Sequence, residues 1–442
     1  MAKKPFDEEK FRRLWNDPSV TIAEICKQMG WRSDAQPYRY ASKLNIPNVR
    51  VSGPKRASVG KAADESIEGV IQGDVQTQGL RAEANHYKRL YHEAVKRIGI
   101  QDAVTQAIHD VAHFVPAITV KAEFPKRKAS GHGSETDLLQ LSDLHGGEIV
   151  DPAETMGLNA FNMTILNRRL GMLARKVIEL VELRRSALYI PKLRIAQEGD
   201  MLSGEIHEEL VRTNVGHMMN MTVRVAFLTA QLVAYVAPHF DHVDCDCVVG
   251  NHPRMYQKVY AKEKYVNWDY MLYQWEAVFC RGIPNVTFNI PKSPFILVQV
   301  ENTRCLIQHG DQIRSWNGIP WYGIERAVHR LREMFQAADE YFDCTLLGHF
   351  HNRADIDRAT GPIVVNGSVK GGDQFSMGSL QTTNRPSQNL LFFHDKNGYI
   401  GGMPIYLHDA DDLPEMEFRD FMPEIWADLT EEVKQPFMET PR

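Results

Sequence analysis

Cysteine is scarce: Cys26, Cys245, Cys247, Cys280, Cys305 and Cys344 are scattered through 442 residues with no CxxC pair. That excludes a disulfide framework and leaves reduced, mostly buried thiols as the expectation. No stretch approaches the ~18 consecutive apolar residues of a membrane span, so no membrane partner is expected. The opening residues, MAKKPFDEEKFRRLW, lack an apolar h-region, and the chain reads as cytoplasmic. No repeat with a period of 20–50 residues is visible. Hydrophobic residues at 43% and charged residues at 24% exclude both a disordered chain and a collagen-like one. The length suits two to four structural units.

Net charge is only −5, but it is unevenly spread. Residues 1–61 carry 13 Lys and Arg against 6 Asp and Glu, so the remainder is correspondingly acidic. A basic head on an acidic body suits contact with polyanions. Within residues 1–50 the pattern predicts three short helices. Phe11, Leu14 and Trp15 mark the first. Thr21 and Glu24 form a capping box for the second, which Gly30 stops, and Pro37 opens the third. This resembles a helix-turn-helix, with Gln36, Tyr38, Arg39, Ser42 and Lys43 facing DNA. A dimerisation or protein-docking module is the competing reading.

Residues 51–78 read as a flexible linker. Across 79–124, Leu80, Ala84, Tyr87, Tyr91, Ala94 and Ile98 describe an amphipathic helical segment, either packed on the main domain or forming a homodimer seam.

Beyond Thr136 short apolar runs each end in a polar cluster. LLQLSDLHGG carries Asp143 and His145, and LRIAQEGDMLSG carries Asp200. VDCDCVVGNHPR holds Asn251 and His252, CLIQHGDQ holds His309, and CTLLGHFHN ends in His349 and His351. Strand carboxyl ends gather at one edge of an α/β sheet, so five of them would deliver these groups to one place. Oxygen donors mixed with imidazole suit Mn²⁺ first, with Fe, Zn²⁺, Ni²⁺ or Mg²⁺ as alternatives. Two such ions can activate water and clamp a phosphoryl group.

The ordered set DxH, GD, GNH, H and GHxH resembles the calcineurin-like metallophosphoesterase superfamily over roughly 137–407. VVNGSV after GHFHN is similar to that family's glycine-serine strand end. The resemblance implies an α/β four-layer sandwich, two mixed β-sheets flanked by helices, beside the small all-α head. It also implies two divalent metal ions. Asp143, His145 and His351 would hold one, Asn251, His309 and His349 the other, and Asp200 would bridge them. His252 becomes the candidate general acid or phosphate contact. The pattern departs from the family at Ser203, where GDxxD would end in a carboxylate, and at Pro253, where an acidic residue is common. Arg254 next to it is a candidate phosphate contact.

Three inserts bear on the substrate. Residues 254–276 interleave Arg254, Lys258, Lys262 and Lys264 with tyrosines and tryptophans, as in a nucleic-acid groove or in a helix packed on the sheet. RSWNGIPWYGIER, with Trp316, Trp321 and Tyr322, reads as a loop over the site or as an ordinary packed loop. KGGDQF (370–375) has glycines that permit close approach to a ligand or simply form a turn. A hairpin is expected about Lys396 and Asn397, followed by an acidic tail over 408–442. The reading is a dimetal nuclease with a DNA-binding head in a bacterial or phage-infected cell. A phosphomonoesterase, or a DNA-binding regulator on a non-catalytic phosphoesterase scaffold, is the alternative.

Overall fold

The computed structural model describes residues 7–17, 20–31, 35–44, 100–111, 117–118, 120, 133–206, 210, 214–256, 264–313, 320–379, 381–410 and 418–420. The chain divides into two compact units, Met1–Arg89 and Leu90–Arg442.

The first unit holds α1 (Glu8–Asn16), α2 (Ile22–Met29) and α3 (Ala35–Lys43). Asp7 caps α1 by accepting from the Lys10 N–H, and Thr21 and Glu24 close a reciprocal capping box on α2. Gly30 ends α2 at φ 70°, a left-handed conformation that glycine adopts without strain. Phe11, Leu14, Trp15, Ile25 and Ala41 form the core, and the Trp31 ring stacks on Tyr40 at 4.9 Å. Thr21→Ala removes the side-chain acceptor for the Glu24 N–H and should cost this unit about 1 kcal/mol. The loss should appear as faster amide hydrogen exchange across Ile22–Met29 in the full chain.

The second unit is built on two mixed sheets. The first runs β11-β10-β1-β2-β3-β4, with β1 (Ser134–Leu141), β2 (Tyr189–Gln197), β3 (His242–Cys247) and β4 (Val286–Asn289) parallel to one another. The antiparallel pair β10 (Ser387–His394) and β11 (Gly398–Tyr406) closes one edge, turning at Lys396 and Asn397 as expected. The second sheet runs β5-β6-β7-β9-β8. Its β6 (Thr303–Gln308), β7 (Cys344–Leu347) and β9 (Ile363–Val365) are parallel, while β5 (Ile296–Val300) and β8 (Ala354–Ile356) pair antiparallel at the edges.

Period-two alternation sorts the core into layers. Leu138, Ala196, Val248, Cys305, Ile307, Leu346, Val364, Leu391 and Phe393 meet between the sheets. Their neighbours Leu139, Leu141, Ile195 and Leu390 instead join a cluster with residues of α5 (Met163–Arg185), α6 (Met218–Val236) and α7 (Trp268–Cys280). Leu306, Leu347, Ile363 and Val365 pack with Ile324 and Val328 of α8 (Pro320–Gln336). Two sheets face to face with helices outside them form the sandwich expected from the motif order. At ~1.5–3 kcal/mol per buried aliphatic side chain, these layers hold the strand ends rigidly. The stretch Met218–His239 is long and apolar enough to cross a membrane by length and composition, yet 67% of its most apolar window is buried in the protein. It is a core helix here.

Some expectations resolve differently. The seam from Leu80 to Ile98 lies outside the described residues. The helix that is described, α4 (Ile100–Val111), buries Ile108 against Met271 and Val278 of α7. Of RSWNGIPWYGIER, the part from Pro320 onward is not a loop. Pro320 opens α8, and Trp321, Ile324, Val328, Leu331 and Phe335 recur along its sheet-facing stripe. The described part of 254–276 is largely the packed helix α7, with Tyr270, Leu272 and Tyr273 buried. All six cysteines are buried and outside any disulfide. Of the tail, Phe418–Asp420 docks on the unit: Phe418 exchanges backbone hydrogen bonds with the Asn167 side chain, and Asp420 pairs with Arg224.

Candidate metal centre

The segments following β1, β2, β3, β6 and β7 converge at one rim. Five residues there take left-handed backbone without being glycine: Asp143 (φ 53°), His145 (50°), Asp200 (52°), His349 (68°) and His351 (59°). Each costs of order 1–3 kcal/mol, so the surroundings must hold them, and such residues concentrate at functional sites. Lacing between the loops does so. The N–H groups of Asp143, His145 and Gly146 donate to the carbonyls of Gly199, Asp200 and Met201 at 2.9–3.0 Å. The glycines of GD and GN are needed where these loops touch. A Cβ on Gly199, already at φ +87°, would sit 2.3 Å from the Gly250 nitrogen, and one on Gly250 would sit 2.1 Å from Asp200 Oδ1.

Two ligand groups result. Asp143, His145 and His351 bring one donor atom each within 4.8 Å of one another, and so do Asp200, His309 and His349. His351 Nε2 lies 3.2 Å from Asp143 Oδ1 and 3.1 Å from His145 Nε2. His309 Nε2 lies 3.1 Å from Asp200 Oδ2 and 3.0 Å from the Asn251 amide oxygen. Its Nδ1 donates to the Glu198 carbonyl at 2.7 Å, which fixes the ring and turns Nε2 inward. Asp143 is steadied by Ser142 Oγ at 2.6 Å and by the His349 N–H at 3.0 Å.

The electrostatics describe a centre that calls for cations. Burial opposes ionisation of Asp200, but His309 and His252 beside it hold its carboxyl well below the usual range. Burial likewise opposes ionisation of Asp143, and the His351 ring brings it down. Burial disfavours the charged form of His309 too, yet the Asp200 carboxylate carries it up to about 10. Burial, with the His309 charge next in size, pushes His349 down to about 4, and burial with the Lys370 charge drives His145 far down. Among the buried side-chain atoms with no hydrogen-bond partner are His145 Nδ1, Asp200 Oδ2 and His349 Nδ1. Carboxylates, an amide oxygen and imidazoles, with orphaned donor atoms among them, fit divalent metal ions.

His252 completes the rim. Its N–H donates to Asp200 Oδ1 at 2.8 Å and its Nδ1 donates to the Ser203 carbonyl at 3.1 Å, while its ring packs edge-on to His145 at 4.7 Å. Burial holds its pKa below the ordinary imidazole value, only partly offset by Asp200. Arg254 braces the same loop, donating from Nη1 to the Asn251 carbonyl at 2.9 Å and from Nε to the Tyr256 carbonyl at 3.0 Å. Those two donors serve the backbone.

Carboxylates missing from the motifs arrive from elsewhere. Ser203 Oγ donates to Glu148 Oε2 at 2.9 Å, and that oxygen lies 4.0 Å from His145 Nδ1. Glu148 pairs with the buried Lys370, whose ammonium also binds Asp373. KGGDQF is thus a structural turn. Asp373 opens α9 (Gln374–Gly378) with a capping box, and a Cβ on Gly371 or Gly372 would meet protein atoms of Pro386, Asn159 or Thr383. Asp269 at the start of α7 is a further residue outside the motifs, and burial raises its pKa to about 8. In the first unit, Tyr38 and Arg39 are exposed on α3. Gln36, Ser42 and Lys43 lie on that helix, but their side chains are outside the described residues.

No family model and no curated protein matches the chain. Solved structures do. Zinc-bound Vps29 from Entamoeba histolytica is similar at 12% identity, covering 61% of this chain and 99% of its own, with a TM-score of 0.25. A predicted phosphoesterase from Streptococcus pneumoniae TIGR4 matches at 11% identity over 62% and 98%, TM-score 0.25. An archaeal phosphodiesterase matches at 11% identity over 61% and 99%, TM-score 0.28.

Proposed function

We propose that this chain is a two-metal phosphodiesterase that cleaves nucleic acid, with the basic N-terminal unit holding the DNA. The observation that carries the reading is the pair of ligand groups, Asp143/His145/His351 and Asp200/His309/His349, with Asn251 on the second. Divalent ions held there supply an activated water and charge neutralisation for in-line displacement at phosphorus. Mn²⁺ suits this donor set best.

The side chains around the ions do the rest. With Nδ1–H committed to the Ser203 carbonyl, His252 carries its ring lone pair on Nε2 and acts first as a proton acceptor there; it gives a proton to a leaving oxygen only after taking one up. Arg254 keeps the Asn251 carbonyl, and so the ligand amide, in place. In the head, exposed Arg39 and Tyr38 supply a phosphate contact and a base-edge contact.

The test is hydrolysis by chelator-stripped full-length protein with Mn²⁺, Mg²⁺, Zn²⁺ or Ni²⁺ returned singly. The substrates are single- and double-stranded DNA, bis(p-nitrophenyl) phosphate and p-nitrophenyl phosphate. Metal-restored DNA cleavage supports the nuclease, whereas turnover of the monoester alone replaces it with a phosphomonoesterase. His252→Ala should lower kcat by roughly 10²–10⁴-fold. Mn²⁺ affinity, measured by calorimetry, should stay within a few fold, because His252 belongs to neither ligand group.

A further inference from the structure

We propose that Asp269, together with Asn267, is a positioning clamp that sets the bridging carboxylate and the Asn251 amide in register. The proposal rests on the two-metal reading above.

Asp269 lies at the second position of α7, where an acidic residue ordinarily serves its own helix. Here the helix start is served by Asn267, whose Oδ1 accepts from the Asp269 N–H at 2.8 Å. The Asp269 carboxylate is fully buried and turns to two other loops. Oδ2 accepts from the N–H of Asp200 at 2.9 Å and of Gly250 at 3.0 Å, and Oδ1 accepts from the N–H of Met201 at 3.2 Å. From the same helix end, Asn267 Nδ2 donates to the Gly250 carbonyl at 2.9 Å. One helix start therefore grips both faces of the Gly250 residue and the backbone on each side of the Asp200–Met201 peptide.

The consequence is geometric. Asp200 is strained at φ 52°, and its Oδ1 lies against the His252 N–H while Oδ2 faces His309. Asn251 follows Gly250 directly, and its amide oxygen shares His309 Nε2 with Asp200. These residues come from different strand ends, β2 and β3, and a carboxylate accepting from both loops at once fixes their separation. Asparagine cannot replace Asp269 without turning an NH₂ group toward either the Met201 N–H or the pair from Asp200 and Gly250.

The test uses full-length, chelator-stripped protein and Mn²⁺ alone as the probe, with Asp269→Asn, Asn267→Ser and Asp200→Ala. Calorimetry should show the second Mn²⁺ binding about 10–100-fold more weakly in Asp269→Asn. The electron paramagnetic resonance spectrum at two equivalents should change from a spin-coupled pair to isolated ions. With bis(p-nitrophenyl) phosphate, kcat should fall while KM moves little. A residue that only stabilised the fold would lower the melting temperature and leave the spin-coupled signal intact. If Asp269→Asn does not fold, Asn267→Ser decides: serine keeps a helix cap, but its shorter side chain, occupied by the Asp269 N–H, does not reach the Gly250 carbonyl, and it should weaken the second ion in the same way. Wild-type affinity and coupling in the folded clamp variants, beside a loss in Asp200→Ala, overturns the clamp alone. Wild-type behaviour in Asp200→Ala as well overturns the two-metal reading and the clamp with it.

Discussion

Asp200→Ala should abolish metal-dependent hydrolysis, lowering kcat for bis(p-nitrophenyl) phosphate by roughly 10³-fold or more, beyond the 10²–10³ seen when one transition-state donor is lost elsewhere. Three effects combine. The substitution removes the carboxylate of the second ligand group, it frees the His252 N–H held at 2.8 Å, and it strips His309 of its anionic partner at 3.1 Å. Asp200→Asn separates charge from shape. The amide oxygen can keep the His252 N–H, so the fold and the His252 position should survive, while Mn²⁺ affinity still collapses. The metal-free protein offers a second check. His309 is carried up to about 10 against its burial by Asp200, so in Asp200→Asn its ring should lose the proton at a lower pH, a downward shift visible by NMR of the imidazole. Unchanged turnover in Asp200→Ala would remove the ground for any two-metal mechanism at this rim.

The parts of this centre that could be read in the sequence are those whose signal is local. An apolar run followed by DxH, GD, GNH or GHxH announces a strand and what its end presents, and the left-handed φ values of Asp143, Asp200 and His349 show why each sits at a turn. The alternation of Leu138 and Leu139, or of Cys305 and Leu306, similarly announced strands buried on both faces. What could not be read acts through space. Glu148 faces Ser203 from 55 residues away and Lys370 from 222, and nothing in DLHGGE or KGGDQF marks them as partners. Asp269 acts on backbone N–H groups, which leave no trace in residue type. The segment beginning at Pro320 reads as a loop because of its Gly, Pro and aromatic residues, yet it is helical. Its helical signal was available all the same, in a proline at the first position and an apolar stripe at Trp321, Ile324 and Val328. The Leu80–Ile98 seam stays with its sequence reading alone.

The largest stability effect should come from Lys370→Met. Lys370 is 2% exposed, and its ammonium is shared by Glu148 at 3.0 Å and by Asp373. Methionine fills similar volume but leaves Glu148 buried without its counter-ion, a loss of about 3–5 kcal/mol for a broken buried pair. Urea unfolding followed by near-UV circular dichroism of the full chain would measure it. Adding Glu148→Gln to Lys370→Met should recover part of the loss, because the second change removes the stranded charge; a double-mutant cycle that showed simple additivity would mean the two groups do not act as a pair. The pH dependence follows from the same contacts. Burial opposes ionisation of Asp373, but Lys370 holds its carboxyl down at about 2, below its ordinary 3.8. Its stabilisation is therefore complete above about pH 4 and disappears as the pH falls through 2, amounting to about 2 kcal/mol. Lys370 is shifted the other way: burial opposes its charge, yet Glu148 and Asp373 raise it above 10.5, so its share persists through neutral pH and fades only in strong alkali. In Lys370→Met the Asp373 contribution shrinks to what the Ser376 hydrogen bonds still supply, and the acid limb of the stability profile should flatten between pH 4 and 2. An acid limb as steep as in the parent chain would show that Asp373 draws its stabilisation from the Ser376 cap at the start of α9 and not from the ammonium.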